Sequence, residues 1–160
     1  MSAATRLILL RHGEAEGNRE LRYLGSTDAP LTAEGERQAQ QLAAGLAGYP
    51  LAALYTSPLL RAQRTAAIIG AALALLPVIE PALREQDFGA WENHTRAEVH
   101  TEAPDRLAAW ERGEAAPPGG ESLAAVGERI VALADRLAVS HAGQMVALAS
   151  HVGPIKALVA

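Results

Sequence analysis

Arg11-His12-Gly13 closes a short apolar run, Leu7 to Leu10, and Ser150-His151 closes another, Met145 to Ala149. A third run, Leu51 to Thr56, ends at Ser57 and leads into a segment that carries Arg61. Guanidinium groups match phosphate oxygens in a forked geometry, and a neutral imidazole nitrogen is a good nucleophile near pH 7. Any one of these residues alone reads better as a solvated loop residue or an ion-pair partner. Two histidines and two arginines, at or just beyond the ends of apolar runs, point to a phosphoryl group as the ligand. His94, His100 and His141 read as solvated or structural, and five scattered histidines without HxxxH or HxH spacing suggest no metal site.

For these residues to meet, the apolar runs must be neighbouring strands whose carboxyl ends share one edge, where doubly wound sheets bind their ligands. Unbroken runs of this kind suit strands covered on both faces, as in a parallel sheet. Helical patterns lie between them. Ala39, Leu42, Ala43 and Leu46 repeat on one helix face, with Thr32 as N-cap. A second helix is expected to open at Ser57-Pro58, cap then proline, and to run to about Leu75. A third is marked by Leu123, Val126, Ile130, Ala134 and Leu137. The expected fold class is therefore α/β, a three-layer α/β/α arrangement around a mainly parallel central sheet. Residues 91–120 are richer in charge and read as an excursion from the sheet. It carries one short helix near Asp105 to Arg112, and it is placed either at an active-site mouth or at a neutral surface position.

A chain of 160 residues supports one domain with a proper core. Half of it is hydrophobic and a fifth is charged, with a formal net charge of −4. That balance argues against broad affinity for nucleic acid or an anionic membrane, so an anion would bind locally. There is no cysteine, hence no disulfide and no thiolate metal site, which fits a cytoplasmic setting. The four apolar residues before Arg11 fall far short of a signal-peptide core of about 7–15 residues.

Arg11-His12-Gly13-Glu14 with Asn18 resembles the signature of the histidine phosphatase superfamily, the phosphoglycerate mutase-like family. Further blocks follow in family order: Asp28-Ala29-Pro30-Leu31-Thr32, Ser57-Pro58-Leu59-Leu60-Arg61-Ala62, Leu83-Arg84-Glu85 leading to Phe88-Gly89-Ala90-Trp91-Glu92, Gly120-Glu121-Ser122, and Ser150-His151. The Phe-Gly-Ala-Trp-Glu block looks like the α-ribazole phosphatase and broad-specificity branch. Ser150 to Lys156 is similar to phosphatase domains fused to ribonuclease H. The resemblance implies a phosphoglycerate mutase-like fold and a reaction through phosphohistidine that needs no metal or cofactor. His12 would be the nucleophile, Glu85 the general acid, and Arg11, Arg61 and His151 the groups around the phosphoryl oxygens. Asn18, Gly13, Glu14 and Val152 would complete the substrate-binding set, with the Gly13 carbonyl accepting from the second nitrogen of His12.

The pattern departs from the family in places. Val152-Gly153 follows His151 where Gly-Gly is usual, Ala15 replaces a hydroxyl residue, and Asn93 stands where glycine commonly follows Trp-Glu. Ala160 comes soon after His151, so residues 1–160 are expected to be a single phosphatase domain whose C-terminal end is missing, with a helix from near Pro154 cut short. The leading expectation is a phosphomonoesterase acting on a small phosphorylated metabolite, with a homodimer as a state common among similar proteins. The alternatives are mutase-type phosphoryl transfer and a catalytically weak phosphate-binding or interaction module. The short excursion favours hydrolysis over transfer.

Overall fold

The computed structural model describes residues 4–160. Four parallel strands, β1 (Arg6–Arg11), β2 (Leu51–Thr56), β3 (Val78–Ile79) and β4 (Met145–Ser150), form one sheet in the order β1-β4-β2-β3. Parallel neighbours need crossovers. These contain α1 (Ala33–Leu46), α2 (Leu60–Leu73), α3 (Arg96–Glu102), α4 (Pro104–Glu111) and α5 (Leu123–Ser140), and α6 (Val152–Val159) follows β4.

The strands sort their side chains by turn. Ala147 and Ala149 of β4 pack with Ala43 of α1 and with Ala66 and Ile69 of α2. Val146 and Leu148 point the other way, against Ile130, Leu133 and Leu137 of α5. Helices thus cover both faces, which is why the strand sequences are apolar throughout instead of alternating. The three-layer expectation is met. Ile130, Leu133 and Leu137 are each at most 4% exposed, and full burial of such a side chain contributes about 1.5–3 kcal/mol. A charge at Leu133 would break that layer.

In β2, Leu51 pairs with Met145 while Ala53 pairs with Val146, so one extra residue bulges out. The bulge lets Leu51 and Leu54, three apart, serve the same core face.

Several local expectations needed revision. Thr32 caps α1 as expected, its hydroxyl accepting from the Gly35 amide at 3.1 Å. The second helix, however, starts at Leu60 rather than at Ser57-Pro58, and Ser57 does not cap it. The Ser57 hydroxyl is held by His151, and the Leu60 amide is instead satisfied by the Asp28 carboxylate at 2.6 Å. The excursion carries two helices, α3 and α4, not one. The signal for α3 was the pair Thr95 and Glu98, which form a reciprocal capping box. The last helix begins at Val152, two residues before Pro154, which fits the first turn because no intrahelical donor is needed there. The two-residue strand β3 was too short to show any periodicity.

Candidate active site

Because every strand runs in the same direction, the carboxyl ends of β1, β2 and β4 reach one edge together. That edge forms a cleft of about 780 Å³. Arg11, His12, Asn18, Arg61, Glu85 and Val152 all line it.

His12 follows β1 and is 8% exposed. Its Nδ1 lies 2.6 Å from the Gly13 carbonyl oxygen, a contact that makes Nδ1 the protonated nitrogen and leaves Nε2 with its lone pair. Burial pulls its pKa down to about 4, with Arg61 and Arg11 acting in the same direction and the Gly13 hydrogen bond against them. The imidazole is therefore neutral at pH 7. His151 follows β4 and is fully buried, with its ring centroid 5.0 Å from that of His12. Its Nε2 is 2.7 Å from the Ser57 hydroxyl, and its Nδ1 is buried with no partner. Burial, then Arg61, holds His151 well below the ordinary histidine range.

Arg61 sits in the first turn of α2 and is 1% exposed. Nη1 donates to the Thr27 carbonyl at 2.7 Å and Nη2 to the Gly25 carbonyl at 2.8 Å, while Nε–H has no partner. The guanidinium is anchored at one side and keeps a buried, unpaired donor at the other. Glu85 lies in the segment after β3, partly buried, with Oε1 accepting from the Gln86 amide at 2.8 Å and the Gly153 amide at 3.1 Å. Burial pushes its carboxyl above the usual range, against the pull of those amides and Arg61. Arg129 fixes the backbone here by donating to the carbonyls of Ala82 and Glu85, while Glu121 holds it in a two-oxygen ion pair. The Asn18 side-chain oxygen accepts from the Ala15 amide at 2.8 Å, which leaves its NH₂ for a ligand.

Two expected binding residues are placed otherwise. The Glu14 carboxylate does not line the cleft. It pairs with Arg19 at 2.9 Å and accepts from the Thr32 hydroxyl at 2.7 Å, and these bonds hold its pKa below the usual range. Gly13 has both backbone groups committed, its amide to the Thr65 hydroxyl at 3.1 Å and its carbonyl to His12. Its glycine identity has a steric cause, since a Cβ there would collide with the Gly35 backbone.

Sequence reasoning missed Ser57 as the partner of His151, because nothing local marks a contact made across the sheet. Two departures from the family pattern acquire reasons. Ala15 is 1% exposed and packs with Leu24 and Ala29, where a hydroxyl would be buried among apolar groups. Asn93 has φ 65°, a left-handed conformation natural to glycine that asparagine tolerates.

Residues 7–160 match the family model of the histidine phosphatase superfamily (branch 1), and the chain belongs to that family. It is 42% identical over 156 residues to the bifunctional protein Rv2228c of Mycobacterium tuberculosis, covering 96% of this chain and 43% of that protein. The chain thus spans less than half the length of that relative. It is 34% identical to the adenosylcobalamin/alpha-ribazole phosphatase of Escherichia coli, covering 97% and 77% of the two chains. Among solved structures, the mycobacterial glucosyl-3-phosphoglycerate phosphatase Rv2419c superposes with a TM-score of 0.91 at 33% identity, covering 96% of this chain and 78% of that one. Proteins named phosphatases and proteins named phosphoglycerate mutases both stand among its relatives. No helix among the described residues is long and apolar enough to cross a membrane.

Proposed function

We propose that the chain is a phosphomonoesterase that hydrolyses a small phosphorylated metabolite through a phosphohistidine on His12. The observation that carries this reading is the state of His12: buried, neutral, tied through Nδ1 to Gly13, and within one ring's reach of His151. The Nε2 lone pair attacks phosphorus in line, and the bond to the ester oxygen breaks. The leaving alkoxide takes the proton of Glu85, whose raised pKa suits a donor and whose Oε2 is the less engaged oxygen. Water then attacks the phosphohistidine and gives its proton to the Glu85 carboxylate. The P–N bond breaks and its electron pair returns to Nε2.

Charge on the transferring oxygens is met by Arg11, the Nε edge of Arg61, the Asn18 amide and the Val152 amide at the start of α6. His151 adds a donor. The Ser57 hydroxyl accepts from the Leu59 amide at 3.2 Å and lies 2.7 Å from Nε2; in the proposed state it donates to Nε2 and the proton of His151 sits on Nδ1, which has no protein partner. The cleft is far larger than a phosphoryl group, and Tyr23, Phe88 and Trp110 on its wall suit the organic part of a phosphomonoester. The names of the relatives, an alpha-ribazole phosphatase and a glucosyl-3-phosphoglycerate phosphatase, are consistent with ring-bearing substrates.

Hydrolysis of p-nitrophenyl phosphate, unchanged by EDTA and lost in His12→Ala, is the expected result. Phosphate binding with no turnover would instead indicate a binding module. Exchange between monophosphoglycerates primed by bisphosphoglycerate would indicate a mutase.

A further inference from the structure

Glu92 lies near the start of the excursion and does not line the cleft, yet it is wired to Arg61. Its Oε1 accepts from the Ser26 amide at 2.7 Å and its Oε2 from the Thr27 hydroxyl at 2.8 Å. Next to it, the Asn93 side chain donates to the Thr27 hydroxyl at 3.3 Å, and its amide donates to the Tyr23 carbonyl at 2.8 Å. The segment gripped in this way supplies the two carbonyls, of Gly25 and Thr27, that hold the Arg61 guanidinium. Gly25 itself adopts φ 49°, and a Cβ there would collide with the Glu92 carboxylate. The loop is thus shaped to admit that carboxylate.

An arginine side chain has several rotatable bonds, and ordering one costs up to about 2 kcal/mol of rotamer freedom. Two carbonyl acceptors hold Arg61 in one rotamer only if their own loop is held. The 25–27 segment belongs to no helix or strand; backbone bonds from the Thr27 amide to the Leu24 carbonyl and from the Ala29 amide to the Thr27 carbonyl fold it, and side-chain bonds add the grip from outside the loop. We infer that Glu92 is a positioning residue, which locks the Gly25–Thr27 loop so that the guanidinium of Arg61, its Nε–H unpaired, is fixed at the cleft before a phosphoryl group arrives. The excursion thereby contributes to phosphate recognition without touching phosphate. This inference rests on the phosphatase reading for Arg61 as an oxygen ligand.

The test is a double-mutant cycle between Glu92 and Arg61. It is read by calorimetric titration with orthovanadate and by the split of KM and kcat for p-nitrophenyl phosphate. Glu92→Ala is expected to weaken vanadate binding about 10- to 100-fold, the range seen when the support of a binding group is removed, and to act mainly on KM. Glu92→Gln retains one oxygen for the Ser26 amide and is expected to recover most of the loss. In an Arg61→Lys background, which cannot span both carbonyls, Glu92→Ala is expected to add less than about twofold. Equal losses in both backgrounds would overturn the inference, as they would show a general structural role. If Glu92→Ala does not fold, Thr27→Val removes one arm of the same grip, and the same non-additivity is expected. Vanadate binding that follows the cycle without any turnover would sink the phosphatase reading and leave the positioning role standing. Arg61→Lys binding vanadate as tightly as the wild type would overturn both.

Discussion

The imidazoles of His12 and His151 lie 5.0 Å apart between centroids and are tilted by 56°. Each is anchored through a different nitrogen, His12 through Nδ1 to the Gly13 carbonyl and His151 through Nε2 to the Ser57 hydroxyl. The first anchor leaves an acceptor, Nε2, on His12, and the second leaves Nδ1 of His151 without a protein partner. Ser57→Ala removes the hydrogen-bond partner that anchors the His151 ring. Kinetics and denaturant unfolding should show a lower kcat/KM and a loss of about 1–3 kcal/mol in stability, the cost of an unpaired buried polar group. Unchanged kcat/KM would mean that this anchoring of His151 does not matter to catalysis.

Glu85 is assigned both proton transfers, so its loss should separate substrates by leaving group. Nitrophenolate leaves without help, whereas an alkoxide needs a proton. With p-nitrophenyl phosphate, stopped-flow measurement of Glu85→Gln should show a retained burst of nitrophenol followed by slow turnover. With an alkyl phosphate, the first step itself should fall about 10²–10⁴-fold. Equal loss of both first steps would contradict the assignment. Since burial raises the Glu85 carboxyl, wild-type activity should decline as pH rises through that value, and Glu85→Gln should lack this limb.

Acid should destabilise the fold through its buried histidines. The pKa of His12 is about 4 when folded against an ordinary 6.5, so the unfolded chain takes up the proton first as pH falls. Its contribution is fully present above pH 6.5 and is lost progressively between 6.5 and about 4, a difference worth about 3 kcal/mol. His151 acts with the same sign. Glu85 acts oppositely, since its raised carboxyl stabilises the fold below 4.5 and loses that effect as pH rises. Urea midpoints at pH 7 and pH 4.5 should differ less for His12→Asn than for the wild type. The same drop in both would remove His12 as the cause.

Two glycines of α1 should respond to alanine with opposite signs. A Cβ on Gly35 would strike the Glu14 backbone, whereas one on Gly45 meets nothing within 4 Å. Gly45→Ala should stabilise by about 0.5–1 kcal/mol through helix propensity and unfolded-state entropy. Gly35→Ala should destabilise by about 1–3 kcal/mol or more, because it forces β1 and α1 apart where Gly13 meets Gly35. Thermal unfolding of the two variants checks the pair.

What could be read from the sequence, and what could not, divides by the range of the interactions. The apolar runs ending in Arg11-His12, Ser57 and Ser150-His151 declared their strands, because burial on both faces writes itself into consecutive residues. Thr32 declared its helix because capping is local. Ser57 was misread as a cap for the opposite reason: its hydroxyl answers to His151, on another strand, and a distant carboxylate, Asp28, took its place at the helix start. Glu14, adjacent to the site in sequence, turned to Arg19 and Thr32. The grip of Glu92 on the Gly25–Thr27 loop likewise has no local periodicity, only a pairing across more than sixty residues.

The phosphoenzyme tests the central claim most directly. Rapid acid-free quenching of the enzyme during turnover of a phosphomonoester, followed by peptide mass spectrometry, should find one acid-labile phosphoryl group on His12 and none in His12→Ala. Steady turnover with no phosphoryl group on His12 at any quench time, or with the group on another residue, would contradict the account.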